Sequence, residues 1–339
     1  MIIVLKPGIS KKQESTVLAE IRRRGYRPHV MRGVARTVIG AIGDELTHAS
    51  LEALVSEFPL AVESVTPIQK RYQLVSRVAH PADSNVKVRE HVIGAKKLHI
   101  MAGPCSVESE KQLLTTAVAV KAASATILRG GAFKPRTSPY EFQGLGEKGL
   151  KLLAKARRET GLAVITELLS EDHAEMVAEY ADILQIGARN SQNFQLLIAA
   201  AKTGKPVLLK RGLSMKIEEW LLAGEYVLAN ENPNLMFCER GIRTFETYTR
   251  NTLDLGTIPI IKKESHCPIV IDPSQGAGRA DLVVAMCKGA VAMGADALLI
   301  EVHPNPAEAW SDGAQQVSLE VFAKLMQELR PFIQAAGRE

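Results

Sequence analysis

The sequence predicts a (β/α)8 barrel preceded by a small α+β domain. From about residue 97 onward, eight short continuous apolar runs alternate with helical segments, the pattern of a parallel sheet covered by helices. Ahead of them, the first 75 or so residues follow a different order, strand-helix-strand twice over. An open doubly wound sheet usually announces itself with a G-x-G-x-x-G turn after its first strand, and here that turn reads GPCSVES.

The small domain spans 1–75. Residues 1–6 (MIIVLK) read as a strand ended by Pro7-Gly8. Ser10 can cap a helix to about Arg24, with Val17, Leu18 and Ile21 at helical spacing, and Gly25 stops it. Strands over 29–34 and 36–42 follow, then a helix from Leu46 to Phe58. Val62–Ser64 and the stretch Gln73–Val75 supply extended apolar material to close the sheet. The order β-α-β-β-α-β is the ferredoxin-like motif. It carries no catalytic cluster, and its lone histidines, His29 and His48, read as structural or exposed. Residues 76–92 are polar and read as a linker leading into a short strand or hairpin.

The rest, 93–339, reads as the barrel. Its strands are expected at 98–103, 126–131, 163–168, 182–187, 206–211, 235–240, 268–273 and 297–302. Helices are expected at 148–159, 171–180, 191–203, 216–229, 281–293 and 318–334. Eight such units in about 240 residues match a TIM barrel, which typically takes about 250 residues.

Composition narrows the class of partner. With 46% hydrophobic and 23% charged residues, the chain has the ordinary globular balance. No apolar run approaches the roughly 18 residues needed to cross a bilayer, and MIIVLKPG lacks the order of a secretory signal. Four cysteines without a C-x-x-C pair point to a reduced, cytoplasmic setting. A net charge of +5 with 5% aromatic residues argues against nucleic acid and suits small phosphorylated anions.

Barrel enzymes carry their chemistry where strands end. Collecting those ends gives Arg129, Lys134, Arg136, Arg189, Lys210, Arg211, Arg240, Arg243 and Arg279, about nine cations around one mouth. Gathered cations repel unless a polyanion neutralises them, so the ligands should carry several negative charges. Cys105, Glu301, His303 and Asp312 read as metal-ligand chemistry, thiolate with carboxylate suiting a divalent transition metal. Glu301 and His303 are two apart on a strand, so both should face the same side. Cys238, Cys267 and Cys287 lie in apolar contexts and read as core.

The segments AGPCSVES, LRGGAFKPRTSPYEFQGLG, QIGARN, LLKRG, CERGIRTFE, IDPS, EVHP and SDGAQQ, in that order, resemble 3-deoxy-D-arabino-heptulosonate 7-phosphate (DAHP) synthase. The class it resembles has a ferredoxin-like regulatory domain before the barrel. The sister enzyme, 3-deoxy-D-manno-octulosonate 8-phosphate synthase, carries a Lys-Ala-Asn-Arg-type segment where this chain has Lys134-Pro135-Arg136-Thr137, which points to the four-carbon sugar. The resemblance implies condensation of phosphoenolpyruvate with erythrose 4-phosphate and water, the first step of the shikimate pathway. It assigns Arg129 and Lys134 to the phosphoenolpyruvate carboxylate, and Arg189, Lys210 and Arg240 to its phosphate. Arg136 and Thr137, helped by Ser138, would take the sugar phosphate, and Lys134 would serve as general acid. It further implies Tyr or Phe as effector and a homotetramer.

The resemblance also implies a divalent metal, Mn2+ or similar, held by Cys, His, Glu and Asp. Cys105, Glu301 and Asp312 match, whereas the segment after the seventh strand reads Pro273-Ser274-Gln275 where the family has Pro-Ser-His. Gln275 as a weak ligand, His303 turned in, catalysis with little or no metal, and impaired activity all stay open. His266 precedes the seventh strand and should lie at the opposite end of the barrel. Within enzymes the alternative is a related phosphoenolpyruvate-dependent synthase using another aldose phosphate. Outside them it is a non-catalytic, metal-impaired phosphate-binding homologue.

Overall fold

A computed structural model describes residues 1–33, 36–43, 49–66 and 71–339. The chain divides into two compact units, Met1–Asp83 with Glu264–His266, and Ser84–Lys263 with Cys267–Glu339.

The first unit holds β1 (Ile2–Leu5), α1 (Lys11–Arg23), β2 (Arg27–Arg32), β3 (Thr37–Ile42), α2 (Ala49–Glu52), α3 (Leu54–Glu57) and β4 (Val62–Thr66). Its sheet runs β2-β3-β1-β4, with β1 antiparallel to both neighbours, the ferredoxin-like order. Ser10 closes a capping box at the start of α1, its hydroxyl accepting from the Gln13 amide while its own N–H donates to Gln13 Oε1 at 2.9 Å. Ile3, Leu5, Val17, Ile21, Ile39 and Leu54 form the core between sheet and helices.

Two details differ from expectation. The single helix expected after β3 is interrupted at Ala53 into α2 and α3, and its expected start at Leu46 lies, with His48, outside the described residues. The stretch Gln73–Val75 forms no strand of this sheet, because β4 already fills the place beside β1. Leu74 and Val75 are buried instead in a turn. His29 lies half-buried in β2.

The second unit opens with a hairpin, β5 (Val86–Val88) and β6 (His91–Ile93), turned through Arg89 at φ +53°. Eight parallel strands then close on themselves in chain order: β7 (His99–Gly103), β8 (Ile127–Arg129), β9 (Ala163–Glu167), β10 (Ile183–Ile186), β11 (Val207–Lys210), β12 (Leu235–Glu239), β13 (Ile269–Ile271) and β14 (Ala297–Glu301). Five Cα pairs from Ala297↔His99 to Glu301↔Gly103 seal the ring. All eight expected strands are present. Inward side chains such as Met101, Ile127, Ile183, Met236 and Leu299 pack with Val86, Val88 and Ile93, so the hairpin's apolar face plugs the end where the strands begin.

Around the ring run α4 (Glu110–Ala122), α5 (Glu147–Thr160), α6 (Ala174–Tyr180), α7 (Phe194–Lys202), α8 (Ile217–Ala229), α9 (Thr257–Glu264), α10 (Pro273–Ala277), α11 (Ala280–Ala292), α12 (Leu319–Glu328) and α13 (Arg330–Ala335). The helix expected at 318–334 divides at Leu329 because Pro331 has no N–H to continue the ladder. That expected from 171 begins as a 3-10 turn over Glu171–His173. The one expected from 191 starts at Phe194, where Asn193 caps it by accepting from the Leu196 amide at 3.2 Å. Among the described residues no helix is long and apolar enough to cross a membrane.

Candidate active site

At the ends of the strands lies a cavity of about 290 Å3 lined by Arg129, Lys134, Arg136, Arg189, Lys210 and Arg240, with Arg250 added from the loop after β12. Six of the nine anticipated cations therefore converge. The other three serve elsewhere. Arg211 is buried in an ion-pair network with Glu239 and Asp254, each at 3.0 Å. Arg279 pairs with Asp281 on the surface at 2.7 Å, and Arg243 is exposed outside the cavity. Being next to a strand end does not fix where a long side chain goes.

Beneath the cavity, Cys105 Sγ, a Glu301 oxygen and an Asp312 oxygen lie within 4.8 Å of one another. Cys105 follows Gly103, whose missing Cβ is required because one would stand 2.1 Å from the Arg129 carbonyl. The Cys105 amide donates to Gln316 Oε1 at 3.0 Å, which fixes the turn. Lys134 Nζ donates to Cys105 Sγ at 3.0 Å and to the Cys105 carbonyl at 3.1 Å. Burial, with Glu301 beside it, pushes the thiol up to about 11. Burial opposes the charge on Lys134, but Cys105 and Glu301 outweigh it and hold the ammonium above its ordinary range. Asp312 reaches the cluster from a loop residue in the left-handed region, φ +49°, which Asp tolerates better than most side chains.

Glu301 forms an ion pair with Arg129 Nη1 at 3.1 Å and accepts from Gln315 Nε2 at 2.7 Å. Arg129 Nε is buried without a hydrogen-bond partner, an N–H that a ligand would satisfy. Lys210 Nζ donates to Asp272 Oδ2 at 2.5 Å, and Asp272 Oδ1 caps α10 by accepting from the Gln275 amide at 2.9 Å. That one-turn helix aims the Gln275 side chain at the cluster. Its Nε2 donates to Glu301 Oε1 at 3.1 Å and Asp312 Oδ2 at 3.2 Å, while its Oε1 accepts from Arg240 Nη2 at 3.0 Å.

Two anticipated residues stay apart. His303 does not join the cluster: the strand ends at Glu301, so the alternation that would put both residues on one face no longer governs His303. Its ring is held between Glu108 Oε2, at 3.2 Å, and the Asn305 amide, at 3.1 Å. Ser138 lies outside the cavity lining, its hydroxyl accepting from the Tyr140 amide at 3.3 Å, whereas Thr137 does line it. His266 is no part of the cluster either and pairs through Nε2 with the Leu74 carbonyl at 2.8 Å. Cys238, Cys267 and Cys287 are buried and outside any disulfide among the described residues, as expected of core residues.

Comparison with known proteins decides the class. The DAHP synthetase I family model matches residues 79–335, and the DAHP synthase ferredoxin-like domain matches residues 1–70. The chain belongs to the DAHP synthase family. It is 48% identical over 339 residues to phospho-2-dehydro-3-deoxyheptonate aldolase of Thermotoga maritima, covering 99% of each chain. The crystal structure of that DAHP synthase superposes with a TM-score of 0.79, covering 100% of this chain and 98% of the other. A truncated form of the Thermotoga enzyme, 49% identical, gives 0.75 over 79% of this chain and 98% of its own. A 2-dehydro-3-deoxyphosphooctonate aldolase of Caulobacter vibrioides is 34% identical over 254 residues, 69% of this chain and 87% of that protein.

Within this DAHP synthase fold, Arg250 and Glu167 are cavity residues that carried no role in the sequence reading. Arg250 donates to Asp312 Oδ1 at 3.3 Å and to Gln315 Oε1 at 3.1 Å. Its only signal is a place in the loop after the sixth strand. Glu167 ends the third strand, and burial raises its carboxyl above the ordinary range despite four surrounding cations. Gly187 makes room for it, since a Cβ there would lie 1.9 Å from Glu167 Oε1.

Proposed function

We propose that this chain condenses phosphoenolpyruvate with erythrose 4-phosphate and water to give DAHP and inorganic phosphate. The observation that carries the reading is the single cavity into which seven cationic side chains converge above a thiol-carboxylate cluster. One phosphate could be held by two or three of them; seven call for two phosphorylated ligands.

Arg129 and Lys134 bind the phosphoenolpyruvate carboxylate, with the unpartnered Arg129 Nε as one available donor. Arg189, Lys210 and Arg240 take its phosphate. Arg189 forms no ion pair among the described residues, so its charge is free for that use. Arg136 and Thr137, on the exposed side of the cavity, take the sugar phosphate, and Arg136 must leave Glu141, now 2.9 Å away, to do so. Holding both substrates this way aligns the enol carbon with the aldehyde carbon and replaces much of the entropy cost of a two-body step. Lys134, kept protonated by its neighbours, donates a proton to the aldehyde oxygen as the carbon-carbon bond forms.

Cys105, Glu301 and Asp312 offer one soft and two hard donors and fit a divalent transition metal such as Mn2+. Such an ion, when bound, supplies Lewis-acid polarisation of a substrate oxygen. The resemblance extends the reading to a homotetramer with tyrosine or phenylalanine as effector at the first unit, and four buried cysteines outside any disulfide among the described residues support a cytoplasmic setting.

The test is phosphate release from phosphoenolpyruvate with erythrose 4-phosphate or arabinose 5-phosphate, after EDTA and again with Mn2+ restored. Release with the four-carbon sugar alone is expected. Preference for the five-carbon sugar would reassign the substrate, and silence under every condition would leave a phosphate-binding homologue. Inhibition by tyrosine or phenylalanine in the same assay tests the effector.

A further inference from the structure

Gln275 joins the two halves of the site. Its amide spends both N–H groups on Glu301 and Asp312 and its carbonyl on Arg240. With no cation between the carboxylates this orientation is fixed from both sides. Turned over, the amide would set its oxygen against two carboxylate oxygens and its N–H against a guanidinium N–H. A cation held by Cys105, Glu301 and Asp312 reverses the first preference, because it asks for a lone pair. The turned amide then points N–H at Arg240, which is tolerable once an anion lies on that guanidinium to accept from both.

We infer that Gln275 is a positioning residue that couples cation binding at Cys105, Glu301 and Asp312 to anion binding at Arg240 by turning its amide. The inference rests on the functional reading given above for those two subsites. By linkage, the anion must tighten the cation by the same factor as the cation tightens the anion.

The experiment uses the full-length chain stripped with EDTA, with Co2+ as the cation and inorganic sulfate as an anion that does not itself bind Co2+ tightly. Co2+ is followed by the thiolate-to-cobalt absorption of Cys105 and by calorimetry, with and without saturating sulfate. Sulfate should tighten Co2+ about tenfold, within the usual range of allosteric coupling, and Co2+ should tighten sulfate equally. Direct attraction between the two ions survives in Gln275→Met, where the mutual effect should fall to about twofold or less. Gln275→His presents a lone pair without needing to turn, so it should bind Co2+ more tightly than wild type and nearly independently of sulfate. Co2+ binding that ignores sulfate in the wild type, or equal coupling in wild type and Gln275→Met, would overturn the relay. Turnover of the two sugar-phosphate substrates is scored separately: coupling lost with turnover intact removes only the relay, and the reverse result removes only the assigned reaction.

Discussion

The two ends of the barrel are made by the same eight strands and have opposite characters. Where the strands start, Ile127, Ala163, Ile183 and Ala297 meet Val86, Val88 and Ile93 of the hairpin in a buried apolar layer. Where they end, Arg129, Lys210 and Glu301 lead into a cavity full of charge. One end gains stability by removing hydrocarbon from water. The other buries Lys134, Arg129 and Arg240 at a desolvation cost, which the rest of the fold must offset. Stability and chemistry are thus separated along the barrel axis, and substitutions at each end should report on one and spare the other.

The largest effect is expected at the mouth. Lys134→Met should lower kcat by about a thousandfold, the range of a lost general acid, while a thermal melt shifts little. An equal loss of folding would erase the division. At the plug, Ile93→Ala should cost about 2–4 kcal/mol in urea unfolding and leave kcat within twofold. A large kinetic defect there would mean that the ends communicate.

His99 sharpens the contrast through pH. Burial holds its imidazole near 4 against an ordinary 6.5, and its Nε2 pairs with the Val92 carbonyl of the hairpin at 3.1 Å. Because the unfolded chain takes up the proton first, the stability this neutral ring contributes is whole above pH 6.5 and is lost progressively as pH falls from 6.5 to about 4. Between pH 7.5 and pH 5, urea midpoints of the wild type should lose about 1–2 kcal/mol more than those of His99→Asn. The smallest effect belongs to Arg250→Ala, which leaves the other cavity cations in place. KM for one substrate should rise about tenfold with kcat little changed, the signature of lost uniform binding.

The plug and the mouth also differ in how far the sequence reveals them. Continuous apolar runs made all eight strands legible, since parallel strands buried on both faces show little polar alternation. The cysteine, Glu301 and six cations were legible because they stand at or soon after strand ends, and Asp312, farther along the loop after β14, was legible beside them in the SDGAQQ segment. Arg250 lies in a loop whose path no local pattern dictates, and Arg243 and Arg279 share such loops yet turn to solvent or to Asp281. His303 fails for a related reason, since the register of β14 with β7 ends at Glu301 and the chain beyond it pairs with Val317 instead. Gln275 could be placed in the sequence, but which way its amide faces depends on Arg240, Glu301 and Asp312 together.

Ring closure has a consequence for self-association. An intact barrel leaves no unpaired strand for another chain to extend, whereas among the described residues the small sheet ends in β2 on one side and β4 on the other. Open edges of that kind are where proteins recruit foreign strands and grow into fibrils. β2 carries Pro28 and is flanked by Arg27 and Arg32, the latter paired with Glu14, and β4 carries Glu63 paired with Arg36. A proline that cannot donate and charges that resist desolvation blunt both edges, so the part of the chain most open to strand addition also carries its own deterrents.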